Sequence, residues 1–267
     1  MASKPTVGPY HSESLARGLS VICAFGRDSP SMRAVEVANK TGMSRAAARR
    51  FLLTLQDLGY VGSEGDVFYL RPRSLDLGFS YLSSIGVENI VQPVLNRISE
   101  QTEASSSFAV LDKYEVVFIA RAAMRGTFQL AMSVGGRVAA HATSLGQVLL
   151  AGMSPVELDR YLKESVRKAF TKWTVTEEPA LRRKLDRVRS EGYALSHSEQ
   201  SEGIVAVSVP VRNTRNEVVA AVNVNMYPAS ADKIKIAKSH VPILQMEVHE
   251  LELAMRAHNV NGTLGRT

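Results

Sequence analysis

The sequence is nearly devoid of cysteine, since Cys23 is the only one among 267 residues. A lone thiol has no intrachain partner, which excludes a disulfide-stapled secreted scaffold and a zinc site built on several cysteines. Cys23 sits in an apolar helical pattern, so we expect it to be a small buried hydrophobe in a protein of the reducing cytoplasm.

Long apolar runs are also absent. No stretch approaches the roughly 18 residues that a bilayer-spanning helix requires. The first ten residues contain no apolar segment of the kind found in signal peptides. These two absences predict a chain with no membrane span and no membrane partner.

Catalytic and cofactor motifs are lacking as well. The histidines, at positions 11, 141, 197, 240, 249 and 258, show no metal-ligand spacing, which predicts no metal site. Gly152-Met153-Ser154 misses the nucleophile elbow because Val156 occupies the place of the final glycine. Neither a phosphate loop nor a dinucleotide fingerprint occurs, so we expect no cofactor.

An enzyme fused to a DNA-binding domain is one alternative that these absences leave open. His197 beside Glu199 could act as a base and its orienting acid, although adjacent polar residues at a strand end are normally surface groups. We expect no catalytic residues. A protein–protein adaptor is the other alternative.

The chain does carry an excess of basic residues, 32 Lys and Arg against 26 Asp and Glu. That balance permits nucleic-acid binding without establishing it. More informative is the segment SRAAARR at residues 44–50, which has three arginines and no acid before Asp57. Taken alone it could be a solvated helix face, so its surroundings decide the interpretation.

Those surroundings predict three helices followed by a hairpin. We expect the first helix to bury a stripe of Leu15, Leu19, Ile22 and Phe25. A second helix over residues 32–40 would begin at Ser31 as its N-cap. Its predicted buried positions are Val35 and Ala38.

After a turn at Gly42, Ser44 caps a third helix that runs to about Leu58. Its apolar stripe combines Ala47 or Ala48 with Phe51, Leu52, Leu55 and Leu58. Two β-rich pieces then flank a turn at residues 63–66, which indicates a hairpin.

This order is the plan of a winged helix-turn-helix, whose second helix offers its N-terminal residues to the major groove. The hairpin turn carries two acids, which is unusual for a groove-reading wing. The candidate DNA-binding residues are Ser31, Ser44, Arg45, Ala47, Ala48, Arg49 and Arg50.

Three stretches resemble the IclR family of bacterial transcriptional regulators: SLARGLSVICAFG, TGMSRAAARRFLLTLQDLGYV and LRPRSLDLGFSYLSS. The form SRAAARRFLLTL looks most like the branch that regulates aromatic-acid catabolism, the PcaR/PcaU/PobR group. The resemblance continues through SVGGRVAAHATSLGQVLLAG, EGIVAVSVPV and VVAAVNVN, and so covers nearly the whole chain. It implies a winged helix-turn-helix, a dimerising linker helix and a GAF-like effector domain.

The resulting fold class is α+β, divided into four segments. We expect a DNA-binding domain at residues 11–71, a linker helix at 72–86, an effector-binding domain at 87–258 and a flexible tail at 259–267. The linker presents Leu75, Phe79 and Leu82 on one side and Leu77 and Tyr81 on another. It could pack on its own domain; the resemblance implies a homodimer, with a tetramer left open.

The larger domain reads as a mostly antiparallel sheet with helices grouped between its strands. We expect the C-terminal helix to be interrupted near Pro242 and to bury Leu244, Val248, Leu251 and Met255. Predicted helices cover residues 87–101, 144–151, 155–163 and 177–191. Predicted strands cover residues 105–111, 115–121, 129–134, 193–198, 204–211 and 218–226.

Two features suggest where an effector binds. Thr143 is a predicted N-cap, and the free amides of the helix it begins suit a carboxylate, although a cap is usually only structural. Asn223 and Asn225 share one face of the last strand, which is either solvated or bound to something. Arg121 and Arg137 are candidates for pairing with a carboxylate, though most arginines are simply exposed.

The resemblance extends the candidate pocket residue by residue. Relatives that bind small keto acids have an aspartate in place of Ser196, a cysteine in place of Ala206 and serines in place of both asparagines. These departures favour a different ligand, an aromatic acid such as protocatechuate or 4-hydroxybenzoate. The candidate effector-binding residues are Gly135, Gly136, His141, Ala142, Thr143, Ser144, Ser196, Ala206, Ser208, Asn223 and Asn225.

Overall fold

The computed structural model describes residues 10–84, 86–123, 133–227, 235 and 238–258. The chain divides into two compact units, Met1–Tyr81 and Leu82–Thr267. No helix in these described ranges is both long and apolar enough to cross a membrane.

The first unit is a winged helix-turn-helix, as the sequence predicts. A three-stranded antiparallel sheet of order β1-β3-β2 closes it. Its elements are α1 (Glu13–Ala24), β1 (Ser31–Arg33), α2 (Ala34–Thr41), α3 (Arg45–Asp57), β2 (Val61–Glu64) and β3 (Val67–Leu70).

The predicted stripe of α1 is wrong in its N-terminal half. Leu15 and Leu19 are 64% and 45% exposed, whereas Val21 is fully buried and Phe25 nearly so. Cys23, predicted to be buried, is exposed. Helical spacing identified apolar residues correctly, but Val21 and Phe25 define the face that meets the core.

The start of α2 also differs from the prediction. Ser31 belongs to β1 and caps nothing; Arg33 is the N-cap, and its amide donates to the Glu36 carboxylate at 2.8 Å. The helix buries Val37 and Ala38, while Val35 is exposed. β1 takes the residues predicted for the first helical turn because it pairs with β3.

The third helix agrees better with its prediction. Ser44 is the N-cap of α3, and Ala48, Leu52 and Leu55 form its buried face. Leu58, expected in the stripe, is 51% exposed.

A short turn at Pro72–Ser74 leads into α4 (Leu75–Ser84), the predicted linker helix. Arg73 fixes this turn to the preceding domain, since its Nη1 donates to the Leu58 carbonyl at 2.7 Å. None of the described residues of α4 is buried.

The second unit is built on a six-stranded sheet of order β6-β5-β4-β9-β8-β7, antiparallel at each described pairing. Its strands are β4 (Ser105–Asp112), β5 (Glu115–Ala122), β6 (Arg137–Ala139), β7 (Ala194–His197), β8 (Val205–Arg212) and β9 (Val218–Met226). Its helices are α5 (Gln92–Thr102, after a π turn at Val87–Val91), α6 (Ser144–Ala151), α7 (Pro155–Glu164), α8 (Glu178–Glu191) and α9 (Val241–Ala257).

The two faces of this sheet differ in character. One face packs its valines, including Val207, Val222 and Val224, against α5 and α9. The other packs Ala109 and Ala221 beneath α6, α7 and α8. Small residues on this second face leave room for the site described below.

Several boundaries depart from the sequence prediction. The strand expected at 129–134 falls mostly outside the described residues, and the described edge strand is β6, which was not predicted. The interruption expected near Pro242 is confirmed, because Lys238 and Ser239 are helical, His240 is a turn residue, and α9 begins at Val241 with Pro242 in its first turn. The buried face of α9, with Leu244, Val248, Leu251 and Met255, is confirmed. The predicted tail at 259–267 lies outside the described residues.

Candidate DNA-contacting helix and effector cavity

The N-terminus of α3 presents its basic residues to solvent. Gly42 ends α2 at a φ of 68°, a left-handed conformation that glycine adopts without strain. The Ser44 hydroxyl then accepts a hydrogen bond from the Ala47 amide at 3.2 Å. Arg45, Arg49 and Arg50 are all exposed, and the Arg50 guanidinium lies 5.6 Å from the centre of the Phe51 ring.

Two of the remaining candidate DNA contacts need revision. Ala48 has no exposed surface, so it is a core residue and cannot contact DNA. Ser31 is exposed, but it pairs with Tyr69 in the three-stranded sheet and does not belong to α3. Ala47 is half-buried, and Ala46, which the prediction omitted, is exposed.

A cavity lies in the second unit between the sheet and α6. The space between its lining atoms amounts to about 480 Å³ when the open mouth is included. Its lining residues are Phe118, Ala142, Thr143, Ser144, Leu145, Ser196, Glu199, Gln200, Ser201, Ile204, Ala206, Asn223 and Asn225.

The roof of the cavity is the first turn of α6. Thr143 caps the helix as predicted, since its Oγ1 accepts from the Gly146 amide at 3.2 Å and its carbonyl from the Gln147 amide at 2.9 Å. The preceding amides, of Ser144 and Leu145, have no partner within the helix. They belong to lining residues, and the helix dipole adds positive potential there, which suits an anion.

The floor of the cavity is polar. Asn223 is 5% exposed, and its Oδ1 has no hydrogen-bond partner in the part of the chain that the structure describes. Leaving a buried polar atom unpaired costs about 1–3 kcal/mol. The alternative of a solvent-facing strand is therefore wrong, and the amide is available to a ligand.

One wall carries a charged group that the sequence analysis treated as a surface residue. Glu199 is 5% exposed and forms an ion pair with Lys184 of α8, at 2.5 Å between Oε1 and Nζ. Its Oε2 accepts from the side-chain Nε2 of Gln147 at 3.0 Å. His197, weighed as a catalytic base, instead stacks on Trp173 with ring centres 6.3 Å apart.

Four predicted effector residues do not line the cavity. Gly135 and Gly136 form a tight turn whose backbone bonds to Phe118. His141 is buried with its Nε2 3.0 Å from the Lys168 carbonyl oxygen. Ser208 lies behind the lining and donates to Ser144 Oγ at 2.7 Å.

The two candidate arginines occupy different environments. Arg137 is exposed and pairs with Asp112 and Glu115, so it does not reach the cavity. Arg121 is half-buried on β5, and burial lowers its pKa. It pairs across the sheet with Ser107, on the face that forms the cavity floor.

The sequence analysis missed several lining residues. Phe118 and Leu145 belonged to apolar patterns that looked like ordinary core. The loop residues Glu199, Gln200 and Ser201 gave no signal, because their burial depends on contacts with distant segments. The Thr174 hydroxyl, for example, donates to the Glu199 carbonyl at 2.6 Å.

Comparison with known families matches both units. The family model described as "Bacterial transcriptional regulator IclR C-terminal" matches residues 79–250. The model described as "IclR helix-turn-helix domain" matches residues 14–65.

Individual relatives cover most of the chain. The Pca operon regulatory protein of Acinetobacter baylyi is 36% identical over 241 residues, which span 89% of this chain and 87% of that protein. A crystal structure of a transcriptional regulator from Rhodococcus sp. RHA1 is 35% identical, with a TM-score of 0.82, and covers 93% of this chain and all of that one.

A third relative has a ligand. The inducer-binding domain of a PobR double mutant from Acinetobacter, in complex with 3-hydroxybenzoic acid, is 31% identical with a TM-score of 0.57. It covers 61% of this chain and 96% of that domain.

Proposed function

The chain belongs to the IclR family of bacterial transcriptional regulators, and on that premise we propose that it controls a catabolic operon in response to a small aromatic carboxylate. The effector binds between α6 and the sheet. Protocatechuate and 4-hydroxybenzoate are the compounds we put forward. The protein acts as a sensor and switch, without catalysis of its own.

One observation carries the proposal: a cavity whose roof offers helix amides and whose floor offers a buried side-chain amide oxygen, Asn223 Oδ1, without a partner among the described residues. The roof suits a carboxylate, and Phe118, Leu145 and Ile204 supply apolar contact for a ring. The related PobR domain in complex with 3-hydroxybenzoic acid supports an aromatic ligand.

DNA binding is assigned to the N-terminus of α3. Arg45 and Arg49 lie one turn apart on an exposed face, where they can reach base edges or phosphates. Ser44 and Arg50 flank them and complete the proposed contact surface.

We propose a homodimer on a palindromic operator, with a tetramer left open. Leu75 and Phe79 of α4 are 73% and 60% exposed, which a second subunit would cover. Two recognition helices related by a two-fold axis would then read two half-sites. Sedimentation of Leu75→Ser/Phe79→Ser against the unaltered protein tests this, and an unchanged mass contradicts it.

The test of the proposed function measures operator affinity with and without each acid. We expect either acid to change operator affinity by about 5- to 150-fold, the range typical of coupled sites. Asn223→Ala should weaken binding of the acid in calorimetry, whereas Asn96→Ala, at an exposed asparagine of α5, should not. Absence of aromatic-acid binding to the unaltered protein would overturn the proposal, and absence of any sequence-specific DNA shift would favour the adaptor alternative.

A further inference from the structure

Ser107 of β4 is a buried serine without a structural partner. It is 1% exposed, and its Oγ has no hydrogen-bond partner among the described residues. Asn223, whose Oδ1 is likewise unpartnered, is its direct neighbour across the β4–β9 pairing. Two buried polar groups without partners therefore lie side by side in the sheet.

The preceding residue shows what a structural serine looks like here. Ser106 is also fully buried, but it points to the opposite face of the sheet. Its Oγ donates to the Leu95 carbonyl at 2.8 Å and lies 2.9 Å from the Ser99 Oγ. Ser106 therefore joins β4 to α5 by hydrogen bonds, whereas the Ser107 Oγ forms no such bond among the described residues.

Ser107 is not itself a lining residue, but it lies on the strand between two strands that contribute lining residues. The lining residues Phe118 and Asn223 belong to β5 and β9, the two strands on either side of β4. Ser107 and Ala109 are the β4 residues paired with Asn223 and Phe118 on this same face. A planar ligand that contacts both lining residues must pass over β4 at these positions.

We propose that Ser107, together with Asn223, binds a ring hydroxyl of the effector and so sets a preference for hydroxylated aromatic acids over unsubstituted ones. This inference rests on the proposed function. Ser107 is the residue it adds to the site.

The donors and acceptors of the site indicate where the carboxylate and the ring hydroxyl of the effector bind. The α6 amides are donors only, so they match an ionised carboxylate, which only accepts. A serine hydroxyl and an asparagine side chain each carry a donor and an acceptor, which matches a phenolic hydroxyl, itself both donor and acceptor. A ligand without that hydroxyl leaves both buried groups unpaired and binds more weakly.

The experiment compares benzoate, 4-hydroxybenzoate and protocatechuate by calorimetry on the full chain. In the unaltered protein at least one hydroxylated acid should bind roughly ten-fold more tightly than benzoate. Ser107→Ala should lose most of that preference by weakening the hydroxylated acid while benzoate affinity stays the same.

Ser106→Ala is the matched control. It removes two buried hydrogen bonds, so it should lower the melting temperature while leaving the ratio of ligand affinities unchanged. Ser107→Ala should leave the melting temperature of the free protein unchanged or raise it, because it removes an unpaired buried hydroxyl.

The outcomes separate the two proposals. If the acids bind but Ser107→Ala keeps the same affinity ratio, Ser107 does not contact the hydroxyl and only this inference fails. If none of the three acids binds the unaltered protein, the proposed aromatic effector fails and this inference fails with it.

Discussion

Lys184 Nζ lies 2.5 Å from Glu199 Oε1 and so joins α8 to the wall of the cavity beneath α6. The carboxylate is almost completely buried, while the lysine side chain is 24% exposed. A cavity suited to an anion therefore contains an acid of its own, whose charge is balanced by Lys184 and whose second oxygen accepts a hydrogen bond from the Gln147 side chain. This balance has consequences for stability and for ligand binding.

Replacing Lys184 by methionine should remove that balance. We expect the free energy of unfolding to fall by about 3 kcal/mol, the low end for a broken buried ion pair because Lys184 is partly exposed, since the buried Glu199 charge loses its counter-ion. Binding of an anionic effector should weaken as well. Urea unfolding and calorimetry measure the two effects.

The control is Arg187→Met on the same helix. Arg187 pairs with Glu191, but its side chain is 69% exposed. Loss of such a surface pair should change the free energy of unfolding by less than about 0.5 kcal/mol. Equal effects of the two variants would contradict the role given to the Lys184–Glu199 pair.

Gly146 is the position at which α6 touches the segment before it. A Cβ at this residue would overlap the carbonyl oxygen and Cα of Ala140. Gly146→Ala should therefore displace the roof of the cavity, lower stability by about 3 kcal/mol and abolish effector binding. Thermal unfolding and calorimetry test this.

Gly18→Ala in α1 is the matched glycine substitution. Nothing lies within 4 Å of a Cβ added there, so alanine should be neutral or should gain up to about 1 kcal/mol of helix stability. A Gly146→Ala protein that is as stable as Gly18→Ala would show that the close contact at Ala140 relaxes freely.

Arg45→Ala and Arg49→Ala should each weaken operator binding by about ten-fold or more without changing the melting temperature. If the lost arginine contacts phosphate, the slope of log affinity against log salt concentration should also fall by about one, and affinity should weaken equally for all DNA sequences. If it reads a base, its loss should instead relax the sequence preference at one position of the operator.

Fluorescence anisotropy with operator and scrambled duplexes distinguishes these outcomes, with Arg187→Ala as the control for the loss of one positive charge. Full operator affinity in either recognition-helix variant would mean that α3 does not read the DNA.

Stability of the second unit should decline on mild acidification. Burial lowers the pKa of His141 below its ordinary value of 6.5, outweighing the hydrogen bond to the Lys168 carbonyl, which raises it. The unfolded chain therefore binds a proton at a higher pH than the folded chain does. Stability from this residue is complete above pH 6.5 and is lost as the pH falls through the folded-state pKa.

His141→Gln should flatten this part of the pH profile in urea unfolding, because glutamine can still donate to the Lys168 carbonyl but does not titrate. His249→Gln, at an exposed residue of α9, should leave the profile unchanged. If the free energy of unfolding has the same slope against pH in the unaltered protein and in both variants, the acid sensitivity comes from other residues.

Elements with strong local signals were predictable from sequence. α6 and β9 match their predicted bounds, because the Thr143 cap and the alternation around Asn223 are local features. β1 was missed because three residues are too few for their alternation to indicate a strand, and they form one only by pairing with β3.

The site was predictable in part for the same reason. Thr143 could be predicted from the N-cap pattern and Asn223 from the alternation of its strand. Glu199 does not, since its burial depends on Lys184 and Gln147 from two other helices. Leu15 and Leu19 show the converse limit, because periodicity identifies an apolar stripe without saying what covers it.

Alternate residues of strand β9 have different roles. Val222 and Val224 face the hydrophobic core, whereas Asn223 and Asn225 face the cavity on the other side of the sheet. Substitutions at Asn223 and Asn225 should therefore change which molecule the cavity accepts while leaving the packing of Val222 and Val224 unchanged. A sensor laid out in this way can be retuned to a new compound without first being restabilised.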